Sequence, residues 1–425
     1  MSAQPKPRGF RHEPGDATSV YRRVRDATLA LCATLAPEDT VAQSMPEASP
    51  AKWHLAHTTW FFEQFLLAPF DPAYRRFHAG WDYLFNSYYQ AVGPMHARPQ
   101  RGLLTRPTLD EVVAYRAHVD DAMCTLLRER GDDRDAMARV TLGLNHEQQH
   151  QELLLTDILH LFSLNPLEPV FREAPPISVA NPVPLRFIAG RRGIVEIGHA
   201  GNGFAYDNES PRHRALLHPH AIANRCVTNA EFREFIDDGG YRNPSLWLSE
   251  GWDIVRRENW THPLYWDDAL ETSFTLGGRH PIDASAPVCH ASFFEADAFA
   301  RWAGARLPTE FEWEAATQDL PIEGNFADRA VLRPLPALPT GDPERPLQIF
   351  GDVWEWTSSP YIGYPGYRPA AGALGEYNGK FMCGQWVLRG GSCATPAGHV
   401  RATYRNFFQS AARWQFCGIR LARDT

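Results

Sequence analysis

Hydrophobic patterning divides the chain into two parts. Over roughly the first 165 residues, apolar positions recur at helical spacing, whereas later apolar runs are short and lie between Gly, Pro, Asn and Trp residues. This change predicts a helical domain over residues 1–165 and a loop-rich domain with small sheets over 186–425, an α+β chain. Residues 166–185 contain six prolines, which favours an extended linker.

Four helices are predicted in the first domain. They lie at about 18–35, 50–64, 109–126 and 133–162. Ser49 followed by Pro50 is typical of an N-cap with proline at the first helical position, and Thr108 with Glu111 matches a capping box. Four such helices favour a four-helix bundle, in which core-facing side chains commonly build metal or cofactor sites.

Composition excludes some classes of function. Hydrophobic residues make up 44% of the chain, and 42 basic against 50 acidic side chains give a net charge of -8. No general basic field exists to attract nucleic acid. Residues 1–16 are polar, with no stretch resembling a signal peptide or membrane anchor, so we expect a cytoplasmic protein without a membrane partner. Seven scattered cysteines without a CxxC pair indicate reduced thiols.

The segment His146-Glu147-Gln148-Gln149-His150 carries the clearest chemical signal. Two histidines four residues apart lie on one helix face and can hold the same metal ion. The pattern also fits zinc metalloproteases, in which the glutamate is the general base. Leu153 and Thr156 stand where the metzincin extension requires glycine and histidine. Two histidines satisfied by ordinary hydrogen bonds are the third interpretation.

A further ligand candidate comes from the second helix. His57 lies there among Trp53, His54 and Trp60, where an imidazole facing the apolar interior needs a partner. Three imidazoles on one side of a metal leave coordination positions open for catalysis. Zinc, iron and nickel all fit this ligand set.

The long aromatic and arginine-rich loop at 77–107 is too long for a simple connection. Tyr88 and Tyr89 in it are candidates to donate a proton or an electron near a metal, although core packing also explains a tyrosine pair. Arg98, Arg101 and Arg106 are candidates to bind a substrate carboxylate through a bidentate fork, or are ordinary surface residues.

Several motifs of the second half recur as Trp, Gly and Arg clusters. They are Val227-Thr228-Asn229, Arg306 to Glu314, Gly351 to Trp356, Arg389-Gly390-Gly391-Ser392 and Gly418-Ile419-Arg420. Together they resemble the formylglycine-generating, sulfatase-modifying family over residues 186–425, which implies a C-type-lectin-like fold. The copper site of formylglycine-generating enzymes needs two cysteines after the Gly-Gly-Ser element, and only Cys393 is near it here.

A DinB-like bundle joined to such a domain resembles the ergothioneine synthases of the EgtB type over nearly the whole chain. This resemblance implies iron(II) held by His57, His146 and His150, with Gln149 beside the imidazole substrate. Trp53 and His54 would be supporting residues. It also implies a reaction in which dioxygen oxidatively couples a thiol to C2 of hercynine and gives a sulfoxide. The implied partners are therefore small molecules: hercynine, dioxygen and a donor.

The resemblance also extends to the second domain and to the tyrosine pair. Asn406 and Phe407 match the family's substrate-facing segment, and Tyr88 and Tyr89 match a tyrosine pair of the subgroup that takes free cysteine. After Phe408, however, residues 409–412 lack the proline-rich stretch expected of that subgroup. The donor is therefore open between cysteine, γ-glutamylcysteine and the selenosugar of the related selenoneine synthases of the SenA type. The alternative of a different class is a DinB-type thiol transferase, which would use zinc and consume no oxygen, or a binding module in which the metal is structural or vestigial.

Overall fold

The computed structural model describes residues 16–173, 183–201 and 203–425. The polar N-terminal residues 1–15 and residues 174–182 of the predicted linker lie outside the described residues. The long helices of the first part are α1 (Ala17–Cys32), α2 (Ala51–Phe62), α5 (Leu109–Arg130) and α6 (Arg134–Ser163), with the short helices α3 (Ala68–Phe70) and α4 (Trp81–Phe85) between α2 and α5. The four predicted helices are thus present.

Helix ends follow the capping residues, with one correction. Thr108 and Glu111 form the predicted capping box of α5, and the side chain of Asp133 caps α6. The assignment of Ser49 as N-cap of α2 is wrong, because Pro50 occupies that position and its carbonyl accepts the first helical hydrogen bonds. The Ser49 hydroxyl instead accepts a hydrogen bond from Arg101.

Helix α2 is the central element of the bundle, because every residue from Ala51 to Phe62 is buried. It packs against α1, α5 and α6 and continues through a π-helical turn at Glu63–Leu67. Its polar side chains therefore lie in the interior, where each needs a hydrogen-bond or metal partner. Among the described helices, none is both long and apolar enough to cross a membrane.

The second part combines small sheets with short helices. Its helices are α7 (Asn229–Asp237), α8 (Ser249–Glu258), α9 (Phe293–Trp302) and α10 (Glu310–Thr317). Its strands are β1 (Phe187–Ala189), β2 (Gly193–Ile197), β3 (His213–Leu217), β4 (His220–Ala223), β5 (Thr272–Thr275), β6 (Gly278–Pro281), β7 (Trp354–Pro360), β8 (Gln385–Arg389), β9 (Asn406–Gln409), β10 (Cys417–Gly418) and β11 (Ala422–Asp424).

The strands form one four-stranded sheet, one three-stranded sheet and two two-stranded sheets. In the order β10-β7-β8-β9, the pair β10–β7 is parallel and the other pairs are antiparallel. Strands β1, β4 and β11 form an antiparallel sheet, and β2–β3 and β5–β6 pair separately. Short strands with many loops agree with the predicted α+β class.

The Trp-Gly-Arg motifs of the second part are buried supports of the large sheet. Glu355 accepts hydrogen bonds from Arg420 and from the Trp313 indole. At the end of β8, Gly390 has a φ of +102°, and a Cβ there would lie 2.5 Å from the Ile349 carbonyl oxygen. Glycine is therefore required at this sharp turn, which presents the residues after it towards the helical bundle.

Candidate metal centre and substrate cavity

Three histidines converge at the bundle core. His57 comes from α2, and His146 and His150 come from successive turns of α6. One ligand atom from each lies within 4.8 Å of the others, and the Nε2 atoms of His57 and His146 are 3.3 Å apart. The structure therefore brings together the three residues that the sequence selects as ligand candidates.

The chemistry of these imidazoles fits a metal ion. Burial lowers the pKa of all three, that of His146 to about 3, so they are neutral and carry free lone pairs. His57 Nδ1 donates to the Phe85 carbonyl at 2.6 Å, which leaves its Nε2 lone pair facing His146. Buried His146 Nδ1 has no hydrogen-bond partner among the described residues. A shared cation would satisfy the facing lone pairs, and neutral imidazoles suit zinc, iron or nickel.

Two tryptophans hold the His57 ring in place. Trp53 stacks on one side with ring centroids 4.5 Å apart, and Trp60 is stacked at 5.7 Å. Both indoles are buried and anchored, Trp53 Nε1 to the Leu84 carbonyl and Trp60 Nε1 to Asp82. This packing fixes the direction of the His57 lone pair.

Glu147, the glutamate of the HExxH pattern, does not serve this site as a free base. Its carboxylate is fully buried and binds Arg25, Arg116 and the Thr28 hydroxyl. Burial favours the neutral acid, but Arg116 and Arg25 outweigh it and lower the pKa of Glu147 to about 2. A carboxylate held by two guanidinium groups is a poor proton acceptor, so this geometry contradicts the metalloprotease interpretation.

A cavity of about 360 Å³ opens between the bundle and the second domain and reaches the three-histidine group at His150, whereas His57 and His146 are not among its lining residues. His150 and Gln149 line it from α6, and Tyr88 lines it from the 77–107 loop. Asn406 and Phe407 line it from β9. Five residues predicted for one site from distant parts of the chain thus share one cavity, with a volume suited to small molecules.

The predicted substrate-facing residues make defined contacts in this cavity. Gln149 Nε2 donates to the Tyr404 hydroxyl at 2.5 Å. The Phe407 ring stacks on Tyr361 with centroids 4.0 Å apart. Asn406 Oδ1 accepts the backbone N–H of Phe407, so its amide N–H₂ group is the part free to meet a ligand.

The three candidate arginines have different environments. Arg101 is buried, stacks over Trp53 at 3.4 Å and donates to Ser49 and Ser87. Arg98 lines the cavity at an exposed position and donates to the Glu47 carbonyl. Arg106 is exposed and donates to the carbonyl of its own neighbour, Thr105. Only the first two face the cavity.

Comparisons with known proteins fit this architecture. Residues 21–160 match the DinB superfamily, and residues 187–327 and 347–425 match the sulfatase-modifying factor enzyme 1-like domain. A hercynine oxygenase of Mycolicibacterium smegmatis is 35% identical, with 90% of this chain and 92% of that protein covered. A hercynine oxygenase of Mycobacterium tuberculosis is 33% identical, with 89% and 92% covered.

The chain belongs to the hercynine oxygenase family. A further relative, ergothioneine biosynthesis protein 1 of Schizosaccharomyces pombe, is 29% identical and covers 52% of this chain but only 28% of its own length. The predicted EgtB-type resemblance and the DinB-like and sulfatase-modifying-type halves are confirmed.

The cavity of this hercynine oxygenase homologue is also lined by residues that were not predicted from the sequence. Tyr377 lines the cavity, with its ring 5.5 Å from that of His146 and stacked on Tyr206. No sequence motif marks Tyr377, which directly follows a 3-10 turn at Ala373–Glu376. Asp157 and Glu152 also line the cavity. Asp157 lies two helical turns after His150 on the same face of α6, which was a usable signal, whereas Glu152, two residues after His150, lies on a different face and carried none.

Glu152 joins the two halves of the hercynine oxygenase fold. Its carboxylate accepts hydrogen bonds from Trp354 Nε1 at 2.7 Å, Ser392 Oγ at 2.5 Å and Thr395 Oγ1 at 2.6 Å. Ser392 belongs to the Gly-Gly-Ser element, next to the single cysteine Cys393. In this protein the element donates hydrogen bonds to the Glu152 carboxylate of the bundle and so links the two domains.

The Glu152→Gln variant is expected to lower the melting temperature by several degrees while leaving metal stoichiometry unchanged. The amide keeps one acceptor oxygen but replaces the other with an N–H₂ group, which then faces at least one of the three donors, and each unsatisfied buried group costs about 1–3 kcal/mol. The ligand candidates all lie in the bundle and keep their positions. Thermal melts and metal analysis of the same preparations check this, and an unchanged melting temperature would contradict the assigned role.

Proposed function

We propose that this protein is an iron(II)- and dioxygen-dependent enzyme that joins a thiol to C2 of hercynine and forms a sulfoxide in ergothioneine biosynthesis. The observation that carries the proposal is the trio of buried neutral imidazoles beside a cavity lined by both domains. Relatives named hercynine oxygenase, aligned over about 90% of the chain, support the same substrate.

Iron(II) held by His57, His146 and His150 would supply binding and activation of dioxygen. Zinc also binds imidazole, generally more tightly than iron(II), but it has no redox chemistry, so an oxygenase reaction favours iron. Three protein ligands from one side leave positions for small molecules on the side of the cavity. The remaining steps then depend on how the chain holds its two organic substrates next to that centre.

Hercynine fits the part of the cavity between α6 and β9. Gln149, adjacent in sequence to the ligand His150, would meet the imidazole ring of the substrate. The Asn406 amide would donate to the substrate carboxylate. Aromatic faces in this region, including Phe407 and Tyr377, suit the trimethylammonium group through cation-π attraction.

Tyr88 would act as the proton or electron donor, supported by Tyr89. The two hydroxyls are 3.4 Å apart, Tyr88 faces the cavity, and Tyr89 is fully buried beside Trp60 and Phe61. Burial raises the pKa of both phenols, so both stay protonated at neutral pH. Each phenol therefore still holds the proton or hydrogen atom that this role requires.

Arg101 supports a donor that carries a carboxylate. Burial, followed by repulsion from Arg98, lowers the pKa of its guanidinium, and its Nε atom has no hydrogen-bond partner in the part of the chain that the structure describes. A bound carboxylate would satisfy that group and offset its charge. Cysteine and γ-glutamylcysteine both provide one, and exposed Arg98 would be the second contact for the longer donor.

A selenosugar is the second candidate donor, and a different observation favours it. One part of the cavity lining consists of neutral amides and an indole: Gln385, Gln409, Trp414 and Gln415. Within the described ranges, buried Trp414 Nε1 and Gln415 Oε1 have no hydrogen-bond partner. Neutral donors and acceptors beside an aromatic face suit hydroxyl groups of a sugar, so this variant of the proposal is a selenoneine synthase.

Product mass tests the proposal and separates the donors. The protein would be reconstituted anaerobically with iron(II), and then given oxygen, hercynine and either cysteine, γ-glutamylcysteine or a selenosugar. We expect a hercynine sulfoxide adduct from a thiol, whereas a selenium adduct alone would select the second candidate. The absence of any hercynine adduct would contradict both.

A further inference from the structure

A relay of three hydrogen-bonded side chains, His150, His54 and Asp157, connects the metal site with the interior of the bundle. His150 Nδ1 lies 2.8 Å from His54 Nδ1, and His54 Nε2 lies 3.1 Å from Asp157 Oδ2. All three residues are buried. Asp157 is two helical turns beyond His150 on α6, and His54 on α2 lies between them.

The direction of each hydrogen bond in this relay follows from its terminal acceptor, the Asp157 carboxylate. Asp157 Oδ2 also accepts the backbone N–H of Ser49 at 2.8 Å, which holds the carboxylate in place. A carboxylate accepts only, so His54 Nε2 carries the hydrogen and His54 Nδ1 carries a lone pair. That lone pair accepts the Nδ1–H of His150, which leaves the Nε2 lone pair of His150 for a metal.

The other two histidines have different supports. His57 Nδ1 donates to the Phe85 backbone carbonyl, and His146 Nδ1 has no protein partner. His150 is therefore the one member of the trio whose orientation depends on a side-chain relay that ends in a carboxylate. Carboxylate-supported imidazoles are oriented and more basic ligands, and loss of such support typically lowers metal affinity about 10–100-fold.

We propose that Asp157 and His54 are positioning residues that act in series: Asp157 fixes the ring form of His54, and His54 fixes and polarises His150 as a metal ligand. This inference rests on the metal site of the proposed function. It adds a carboxylate to the site that does not touch the metal, although it lines the same cavity.

A double-mutant cycle on metal affinity tests the series. The variants are Asp157→Asn, His54→Phe and the pair, titrated with cobalt(II) as a spectroscopic stand-in for iron(II). His160→Phe is the control, because His160 also lies on α6 and bonds a side chain, Ser44 Oγ, outside the trio. Thermal melts without metal report separately on any damage to the bundle.

We expect wild type and the control to bind one equivalent with equal affinity, and each single relay variant to bind about 10–100-fold more weakly. The pair should bind no more weakly than His54→Phe alone, because Asp157 acts only through His54. The cobalt visible bands should shift in both single variants, since a weaker ligand changes the ligand field, and a purely structural role would leave them unchanged.

Two results would overturn the inference while leaving the metal site intact: wild-type affinity in Asp157→Asn, or additive losses in the pair. Failure of the wild-type protein to bind stoichiometric metal is a separate result and would overturn the proposed function itself.

Discussion

The His146→Ala variant is expected to lose stoichiometric metal and to lower oxygen uptake by at least about 100-fold, more than a lost supporting contact costs. The three rings form a nearly equilateral triangle, with the His146 centroid 5.0 Å from that of His57 and 4.6 Å from that of His150, and with 4.7 Å between the His57 and His150 centroids. Two remaining imidazoles cannot complete a three-ligand site. Metal analysis and oxygen-electrode traces on the purified variant measure both effects.

The control for this variant is His160→Ala, which removes an imidazole from the same helix outside the trio. It should retain metal and oxygen uptake. Near wild-type activity in His146→Ala would show that the three-histidine site is not the catalytic centre.

The Glu147→Gln variant is expected to destabilise the folded bundle by about 3–5 kcal/mol, because it leaves buried Arg116 without its carboxylate partner and buried Arg25 with Asp120 alone. The side chain does not serve the three histidines, so the folded fraction should still bind metal. Denaturant unfolding measures the loss, and Glu129→Gln, an exposed site on α5, is the matched control.

The same variant separates the two meanings of the HExxH pattern. In a metalloprotease, the variant would lose peptide hydrolysis because its general base is gone. Here we expect oxygen-dependent activity to survive in the folded fraction. Unchanged stability together with lost metal-dependent hydrolysis would restore the protease interpretation.

The helical bundle could be predicted because its sequence patterns involve residues that are close together in the chain. The capping box at Thr108 and the spacing of His146 and His150 depend only on residues a few positions apart, so both were recognisable. His57 was selectable because a histidine among tryptophans on a buried helix needs a partner. The N-cap of α2 was misplaced by one residue, because the Ser49 hydroxyl bonds the distant Arg101 instead of capping the helix.

The contacts between the two halves could not be predicted from short-range sequence patterns, because they join residues that are far apart in the chain. Glu152 reads as an ordinary polar helix residue until Ser392 and Thr395 are brought against it, and only the folded chain does that. Likewise, Glu147 looks like a catalytic base until the distant Arg25 and Arg116 are seen to neutralise it. Family resemblance identified Asn406 and Phe407 as substrate-facing, whereas unmarked Tyr377 needed the three-dimensional cavity.

The most direct test of the account is oxygen uptake by the iron(II)-loaded protein, measured with donor present, first without and then with hercynine. We predict little uptake before hercynine and stoichiometric uptake, matched to product, after it is added. A zinc-dependent thiol transferase would consume no oxygen in either case, and absence of hercynine-dependent uptake with every donor would contradict the account.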